Sequence, residues 1–173
     1  MRKEKLKIIG LFIGSIISLL IGLYLVQYIN KLDSHDNFKE YNLRLKEKST
    51  IIRTSKPIST YQDFFGFDYP GVTFRLEYPK IDDSSWDIID KSIKLGDTIK
   101  VVVLSKDYEN AKVNRHIGCV DIFELSKNDM VFLSFDDKIN SKKRRANISV
   151  YTFFLLGFIF IVFGVWKIKN IWM

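Results

Sequence analysis

Several residue types that mark common classes of protein are scarce in this sequence. Cys119 is the only cysteine among 173 residues, which excludes an intramolecular disulfide and a zinc site built from cysteines. His116 lies three residues before Cys119, but two candidate ligands do not close a metal site, and residues three apart in a strand point to opposite faces. The sequence therefore predicts no metal and no cofactor.

Motifs of the common enzyme classes are also missing. The chain contains no nucleophile elbow, no phosphate-binding glycine loop and no zincin histidine pair. The acidic cluster Asp82, Asp83, Asp87 and Asp90 lacks the glycine and final glutamate of an EF-hand loop. We interpret that cluster as a solvated loop leading into a helix N-terminus, where aspartate favours the helix dipole. The expectation is a protein that is not an enzyme.

The positive charge of the chain is not concentrated on its central region. The formal net charge is +7, whereas residues 31–145 hold 21 Lys and Arg against 19 Asp and Glu. A nucleic-acid-binding domain needs a basic face, so nucleic acid is set aside as a partner. The basic residues that stand out flank two apolar segments: Arg2, Lys3, Lys5, Lys7, Lys142, Lys143, Arg144 and Arg145.

Two long segments contain no charged residue. Ile8–Asn30 has 23 residues and Ala146–Trp166 has 21, and about 20 apolar residues suffice to cross a bilayer. Without ionisable groups, neither segment suits a proton relay or a voltage sensor. A cleavable signal peptide is the alternative for the first segment, but Val26–Asn30 offers no small-x-small cleavage site. We predict a basic tail (1–7), a transmembrane helix (8–30), a soluble domain with connectors (31–145), a second transmembrane helix (146–166) and a short tail (167–173).

Small residues recur on one side of each apolar segment. Gly10, Gly14, Ser18 and Gly22 follow one another every four residues, and Val150, Gly157 and Gly164 every seven. Such stripes let helices approach closely. They predict a hairpin of the two transmembrane helices, with homodimerisation or docking on another membrane protein as alternatives.

The charges that flank the two segments give conflicting signals on orientation. The basic N-terminus favours a cytoplasmic start, whereas the basic cluster at 142–145 favours a cytoplasmic domain. Long segments translocate largely regardless of charge, and the first helix usually dominates. We therefore expect cytoplasmic termini and an extracytoplasmic domain.

The central region has the pattern of a small β domain. Val72 to Tyr78 alternates apolar and polar residues as a half-buried antiparallel strand does, and Ile99 to Leu104 is a nearly continuous apolar run. Trp86, Ile89 and Ile93 would form one face of a short helix. Further strands are predicted near 41–46, 51–52, 117–125 and 130–135. The predicted fold is a membrane α+β protein with a small antiparallel β barrel or sandwich inserted between two helices.

This layout resembles a broad group of small bacterial two-span membrane proteins of uncharacterised function with a compact β domain between the helices. The resemblance lies in the strand ending at Tyr78, the sequence Gly96-Asp97-Thr98-Ile99-Lys100-Val101, and a turn at Lys106-Asp107. After the second of these strands that group tends to have a Tyr-Asp-Pro type turn, whereas this chain has Ser105-Lys106-Asp107-Tyr108-Glu109, without proline. The resemblance, together with a Lys, Ile and Asn bias, implies a bacterial plasma membrane.

An aromatic segment at 61–69 is the most distinctive feature of the predicted domain. Its glycine and the following proline disfavour regular structure, so it either plugs the core or remains exposed as a partner contact. The predicted partner surface comprises Tyr61, Phe64, Phe65, Phe67, Tyr69, Asp82, Asp83 and Trp86. The resulting hypothesis is a non-enzymatic membrane protein whose β domain binds another protein of the envelope, as an accessory or immunity-type factor. The alternative is an accessory subunit of a transporter or channel assembly.

Overall fold

The fold consists of four α-helices and seven β-strands in the part of the chain that the structure describes. A computed structural model describes residues 2–55, 58–78, 83–113 and 118–172. In chain order the elements are α1 (Arg2–Asp33), β1 (Phe38–Arg44), β2 (Thr50–Ser55), β3 (Ile58–Phe64), β4 (Thr73–Tyr78), α2 (Asp83–Ser92), β5 (Thr98–Leu104), α3 (Ser105–Val113), β6 (Cys119–Lys127), β7 (Met130–Leu133) and α4 (Phe135–Trp172). A single 3-10 turn, His35–Asn37, precedes β1.

The chain divides into two compact units. One unit contains residues 1–33 and 140–173, and the other contains residues 34–139. The first unit is a pair of long apolar helices, because both predicted segments fall within α1 and α4. Both helices are longer than the apolar segments alone, and α4 includes the polar connector at 135–145 without a break.

The second unit is built on a mixed sheet of seven strands. Its strand order is β1-β5-β6-β4-β3-β2, and β7 pairs with β6. The predicted antiparallel barrel or sandwich is wrong, because the sheet is open and its central pair, β4 and β6, is parallel. A parallel neighbour requires a long crossover connection, and α2, β5 and α3 lie between these two strands in the sequence. One isolated bridge, Leu45 to Gly66, joins the chain segments that follow β1 and β3.

Most of the predicted strands are present. The alternation in 72–78 gives β4 and the apolar run at 99–104 gives β5, while the strands predicted near 41–46, 51–52, 117–125 and 130–135 correspond to β1, β2, β6 and β7. Two elements differ from expectation. Tyr61 to Phe64 belongs to the regular strand β3, and the turn expected at Lys106-Asp107 is the first turn of α3.

The core lies on one face of this sheet, where alternate strand residues are buried. Phe64, Phe74, Ile99, Val101 and Ile122 each have 0% of their surface exposed. The β-branched and aromatic residues of β4, β5 and β6 fit a pleated, half-buried surface. Their burial supplies the main driving force for folding of this unit, at roughly 1.5 to 3 kcal/mol for each large apolar side chain.

Candidate functional site

Glycines mediate the contact between α1 and α4. Ideal Cβ atoms built at these glycines would lie only 3.2 to 3.3 Å from a side chain of the other helix. The contacts join Gly14 to Phe160, Gly22 to Phe154, Gly157 to Leu19 and Gly164 to Phe12. Since residue numbers fall along α4 as they rise along α1, the helices are antiparallel. The two small-residue stripes therefore meet within one chain.

Serines complete this helix contact. The Ser15 hydroxyl donates a hydrogen bond to the Gly157 carbonyl oxygen at 3.0 Å, and Ser15 is 2% exposed. Ser18, a member of the predicted stripe, is also buried. Gly10 differs from the other members, because a Cβ there would meet no heavy atom of the described residues within 4 Å. The sequence pattern did not single out Ser15, which lies one position after the stripe glycine Gly14.

Charged residues lie at both ends of the apolar segments. Lys143 forms an ion pair with Asp33, which joins the two helices just outside their uncharged segments. Lys142 is half-buried, and Arg144 and Arg145 are exposed. At the other end, Lys7 is exposed and lies one residue before the first segment. Arg2, Lys3 and Lys5 lie in the first turns of α1.

The aromatic segment of the β domain is divided between buried and exposed residues. Phe64 is fully buried in the core, so it has no surface to offer a partner. Tyr61 and Phe65 are half-buried. The ring of Tyr61 is covered by the guanidinium of Arg75, whose Cζ lies 5.0 Å from the ring centroid. Two of the predicted contact residues, Tyr61 and Phe64, thus belong to strand β3 of the sheet.

Tyr69 belongs to an aromatic cluster at the edge of the core. Its ring contacts those of Tyr41, Phe74 and Tyr108, with centroids 5.6, 5.6 and 6.1 Å away. Tyr41 and Tyr108 are closest to each other, at 4.4 Å. Burial raises the phenol pKa of all three tyrosines, and mutual proximity raises the pKa of Tyr41 and Tyr69 further. These rings are packed against each other and stay protonated at neutral pH.

Phe67 is the exposed aromatic residue of the segment. It is 54% exposed, and the Arg44 guanidinium lies 5.9 Å from its ring centroid. Its backbone N–H donates to the Arg44 carbonyl oxygen at 2.9 Å, and the Leu45 to Gly66 bridge lies directly beside it. We call Arg44, Phe67 and Asp68, which are all exposed, the Phe67 surface. This surface presents an apolar ring on a backbone that is fixed by hydrogen bonds.

The predicted acidic part of the partner surface is only partly described. Asp82 lies outside the described residues, while Asp83 and Trp86 belong to α2. Ile89 and Ile93, from the predicted helix face, are buried at 3% and 4% exposure. Asp90 forms an ion pair with Lys48 at 2.9 Å.

Two ionic contacts that the sequence pattern did not reveal hold the β domain together. Arg75 donates two hydrogen bonds of 2.8 Å to the carboxylate of Asp63 across the β3-β4 ladder. Asp97 accepts a hydrogen bond from the Lys127 ammonium at 2.5 Å and another from the Lys94 backbone at 2.6 Å. These bonds lower the pKa of Asp97. A signal was available for the first pair, since Arg75 occupies a polar position of the alternating strand β4.

Cys119 begins β6 directly opposite Thr73, and His116 lies outside the described residues. Burial raises the pKa of the Cys119 thiol to about 11, although the residue as a whole is exposed. The part of the chain that the structure describes contains no group of three or more potential metal ligands.

A scan against protein-family models and a search of curated proteins both find no match for this chain.

Proposed function

We propose that this chain is an integral membrane protein whose helix pair anchors a β domain that binds another protein. The observation that carries the membrane part is the antiparallel register of α1 and α4. It brings Gly22 opposite Phe154 and Phe12 opposite Gly164, so the two uncharged segments lie side by side along their length. At 1.5 Å per residue they are about 34 and about 31 Å long, close to the roughly 30 Å of a bilayer core.

The exposure of these helices supports the same proposal. Only 17% of each apolar window is buried within the structure, whereas a core helix of a soluble protein is mostly buried. Leu20, Leu155 and Phe158 are each at least 60% exposed. An apolar surface of this extent needs lipid or a partner around it.

The hydroxyl groups of α4 are also arranged for an apolar environment. Thr152 donates to the Ile148 carbonyl at 2.9 Å and Ser149 to the Arg145 carbonyl at 3.1 Å. A hydroxyl that bonds to its own helix backbone avoids the cost of an unsatisfied group in lipid.

Membrane washing tests the anchoring. Isolated membranes from expressing cells are extracted with alkaline carbonate and then with detergent, and the chain is followed by immunoblot. We expect it to stay with the membranes in carbonate and to be released by detergent. Release by carbonate, or a monodisperse chain in buffer without amphiphile, would overturn the proposal.

The bacterial plasma membrane, cytoplasmic termini and an extracytoplasmic domain form part of this proposal. The basic residues before α1 support the orientation through the positive-inside rule. Cys119 provides the test, because it is the single cysteine of the chain and lies in the β domain. Labelling of Cys119 by an impermeant thiol reagent in intact cells supports the orientation. Labelling only after lysis reverses it.

The Phe67 surface supports the partner-binding role of the domain. Aromatic residues are enriched among the residues that dominate protein interfaces, and a contact whose backbone is already fixed loses less entropy on binding. The neighbouring Arg44 and Asp68 add one charge of each sign beside the ring. No substrate and no reaction enter this proposal.

A pair of matched variants tests the role of Phe67. A photo-crosslinking amino acid is placed at Phe67 or at Leu95, which is also apolar and is 65% exposed. We expect a defined crosslinked protein from position 67 and none from position 95, and Phe67→Ser should abolish its co-purification. Equal crosslinking from both positions would contradict the proposal. A stoichiometric polytopic partner would identify the protein as an accessory subunit of a transporter or channel assembly.

A further inference from the structure

Arg144 lies on the face of α4 that turns away from α1. Gly157 and Gly164 define the face that contacts α1, and Lys143 is engaged there by its ion pair with Asp33. At 100° per residue, Arg144 points roughly opposite to Gly157. Consistent with this geometry, Arg144 is exposed.

The outward face that begins at Arg144 continues as an apolar stripe. Residues four, seven, eleven and eighteen positions later fall on the same side of a helix. They are Ile148, Tyr151, Leu155 and Val162, with exposures of 60%, 75%, 60% and 49%. Arg144 therefore caps the surface that would face the acyl chains, two residues before the uncharged segment starts.

Positive charge is concentrated in the residues next to this position, while Asp136 and Asp137 lie about two turns earlier in α4. Within the helix-pair unit, the positions next to this end of the two segments carry Lys31, Lys142, Lys143, Arg144 and Arg145 against the single carboxylate of Asp33. An arginine fork matches phosphate oxygens in a bidentate geometry. Tyr151, two turns after Arg144, is the kind of residue that lies at the membrane interface.

From this arrangement we infer that Arg144 binds the headgroup phosphate of a phospholipid packed along the outward face of α4, with a preference for anionic phospholipid. The inference rests on the proposed membrane anchoring. The headgroup phosphate would contact the guanidinium, and the acyl chains would lie on Ile148, Leu155 and Val162. The net positive charge next to this end of the helix pair favours an anionic lipid over a zwitterionic one, because both bear the phosphate but only one is net negative.

Native mass spectrometry of the full chain tests this inference. The chain is reconstituted in nanodiscs of equal parts phosphatidylcholine and phosphatidylglycerol, and the ratio of the two lipids that remain bound is measured. We expect phosphatidylglycerol to be enriched on the wild-type chain. Arg144→Gln should lower that enrichment about fivefold, which corresponds to about 1 kcal/mol per charge near an anionic surface.

Three comparisons make the result specific. Lys106→Gln removes the same charge from an exposed position of α3 and should leave the enrichment unchanged. Arg144→Lys should retain part of it, since the charge remains but the bidentate fork is lost. Millimolar glycerol phosphate, which carries a headgroup phosphate without acyl chains, should not displace the lipid.

Each contrary result has a distinct meaning. Equal enrichment on wild type and Arg144→Gln, or an equal loss in Lys106→Gln, would overturn the inference while leaving the anchoring intact. Displacement by glycerol phosphate would show a site for soluble anions and would also overturn it. Failure of the anchoring itself would be seen separately, as release of the chain by carbonate.

Discussion

Gly118 lies so close to Gly71 that a Cβ at position 118 would be 2.5 Å from the Gly71 carbonyl oxygen. The Gly118 carbonyl in turn accepts a hydrogen bond of 2.5 Å from the Thr73 backbone. This close approach of two backbone segments lies where the parallel pair of β4 and β6 begins. The parallel pairing of β4 with β6 therefore depends on the absence of a side chain at Gly118.

Gly118→Ala should destabilise the β domain because the added methyl group would collide with backbone, which cannot rotate away as a side chain can. We expect a loss of about 1 to 3 kcal/mol, as for overpacked cores. Thermal unfolding followed by circular dichroism in detergent measures it. Lys112→Ala, at an exposed position of α3, is the control and should be nearly neutral. An equally stable Gly118→Ala chain would show that the two segments can separate without cost.

Asp63 and Arg75 should stabilise the β domain only when both are present. Asp63 has 5% of its side chain exposed and Arg75 has 31%, so removing Arg75 leaves a buried carboxylate without compensation, whereas removing Asp63 leaves a guanidinium that still contacts water. We expect Arg75→Met to cost about 2 kcal/mol or more and Asp63→Leu to cost about 1 kcal/mol. The double variant should cost clearly less than the sum of the two. Denaturant unfolding of the four chains measures the coupling, and additive losses would show that the two side chains act independently.

The positions of the polar residues determine which strands of the β domain can be predicted from the sequence. β4 and β5 follow the apolar pattern, and the pattern predicts both. β3 was missed because Gln62 and Asp63 are buried, and two adjacent polar residues interrupt the alternation that marks a strand. Gln62 bonds to Ser49 at 2.7 Å and Asp63 to Arg75, and these partners lie in other parts of the sequence.

The sequence pattern could predict neither the strand order of the sheet nor helix α3. The parallel pairing of β4 with β6 joins residues more than 40 positions apart, and no local pattern encodes it. The residues that begin α3, Ser105 to Asp107, are typical of turns and of helix N-termini alike. The glycine stripes were informative because helix packing depends directly on residue size. They did not distinguish Gly10, where a Cβ would meet no described atom within 4 Å, from Gly14, where a Cβ would contact the Phe160 ring.

Asp97 should make the stability of the β domain depend on acidity. Hydrogen bonds, first from Lys127 and then from the Lys94 backbone, lower its pKa from the ordinary value of 3.8. A group whose folded pKa is lowered stabilises the fold above its unfolded pKa. That contribution is lost as the pH falls through the folded value.

Wild type should therefore lose more stability than Asp97→Asn between about pH 5 and pH 2, the range in which an aspartate with a lowered pKa becomes protonated. The measurement is the melting temperature of both chains across this range. Parallel pH profiles would show that the carboxylate of Asp97 contributes no pH-dependent stability.

The helix pair should respond to a bulky residue at Gly157 and tolerate one at Gly10. A Cβ at Gly157 would lie 3.2 Å from the Leu19 side chain and 3.5 Å from the Ser15 carbonyl oxygen. Gly157→Leu should push the helices apart and break the Ser15 hydrogen bond. Gly10→Leu is the matched control, because it adds the same side chain where the described residues leave open space.

Cysteines introduced at Phe12 and Gly164, in a chain with Cys119→Ser, report this separation by crosslinking. We expect a high intramolecular yield in the Gly10→Leu background and a yield several times lower with Gly157→Leu. Equal yields in the two backgrounds would mean that the glycine contact does not set the spacing of the helices. Intermolecular crosslinks that vanish with Gly10→Leu would instead assign Gly10 to an interface between copies.

Cys119 should react slowly with thiol reagents even though the residue is exposed. Burial of the thiol raises its pKa from 9.0 to about 11, and the thiolate is the reactive form. At neutral pH the thiolate fraction is then about 100-fold lower than for an ordinary cysteine. Higher nucleophilicity of the more basic thiolate recovers part of this loss, leaving a rate about tenfold lower.

The pH dependence separates this explanation from simple steric protection. The rate constant for a charged iodoacetamide should rise about tenfold per pH unit from pH 7.5 to 9.5, without levelling off, because the pH stays below the thiol pKa. The control is Asn110→Cys in the Cys119→Ser chain, at an exposed position of α3, and its rate should level off near pH 9. A plateau for Cys119 at the same pH would show an unshifted thiol. Labelling of Cys119 in intact cells therefore needs alkaline buffer and long reaction times, and the accessibility of the β domain is best judged from the ratio of labelling before and after lysis.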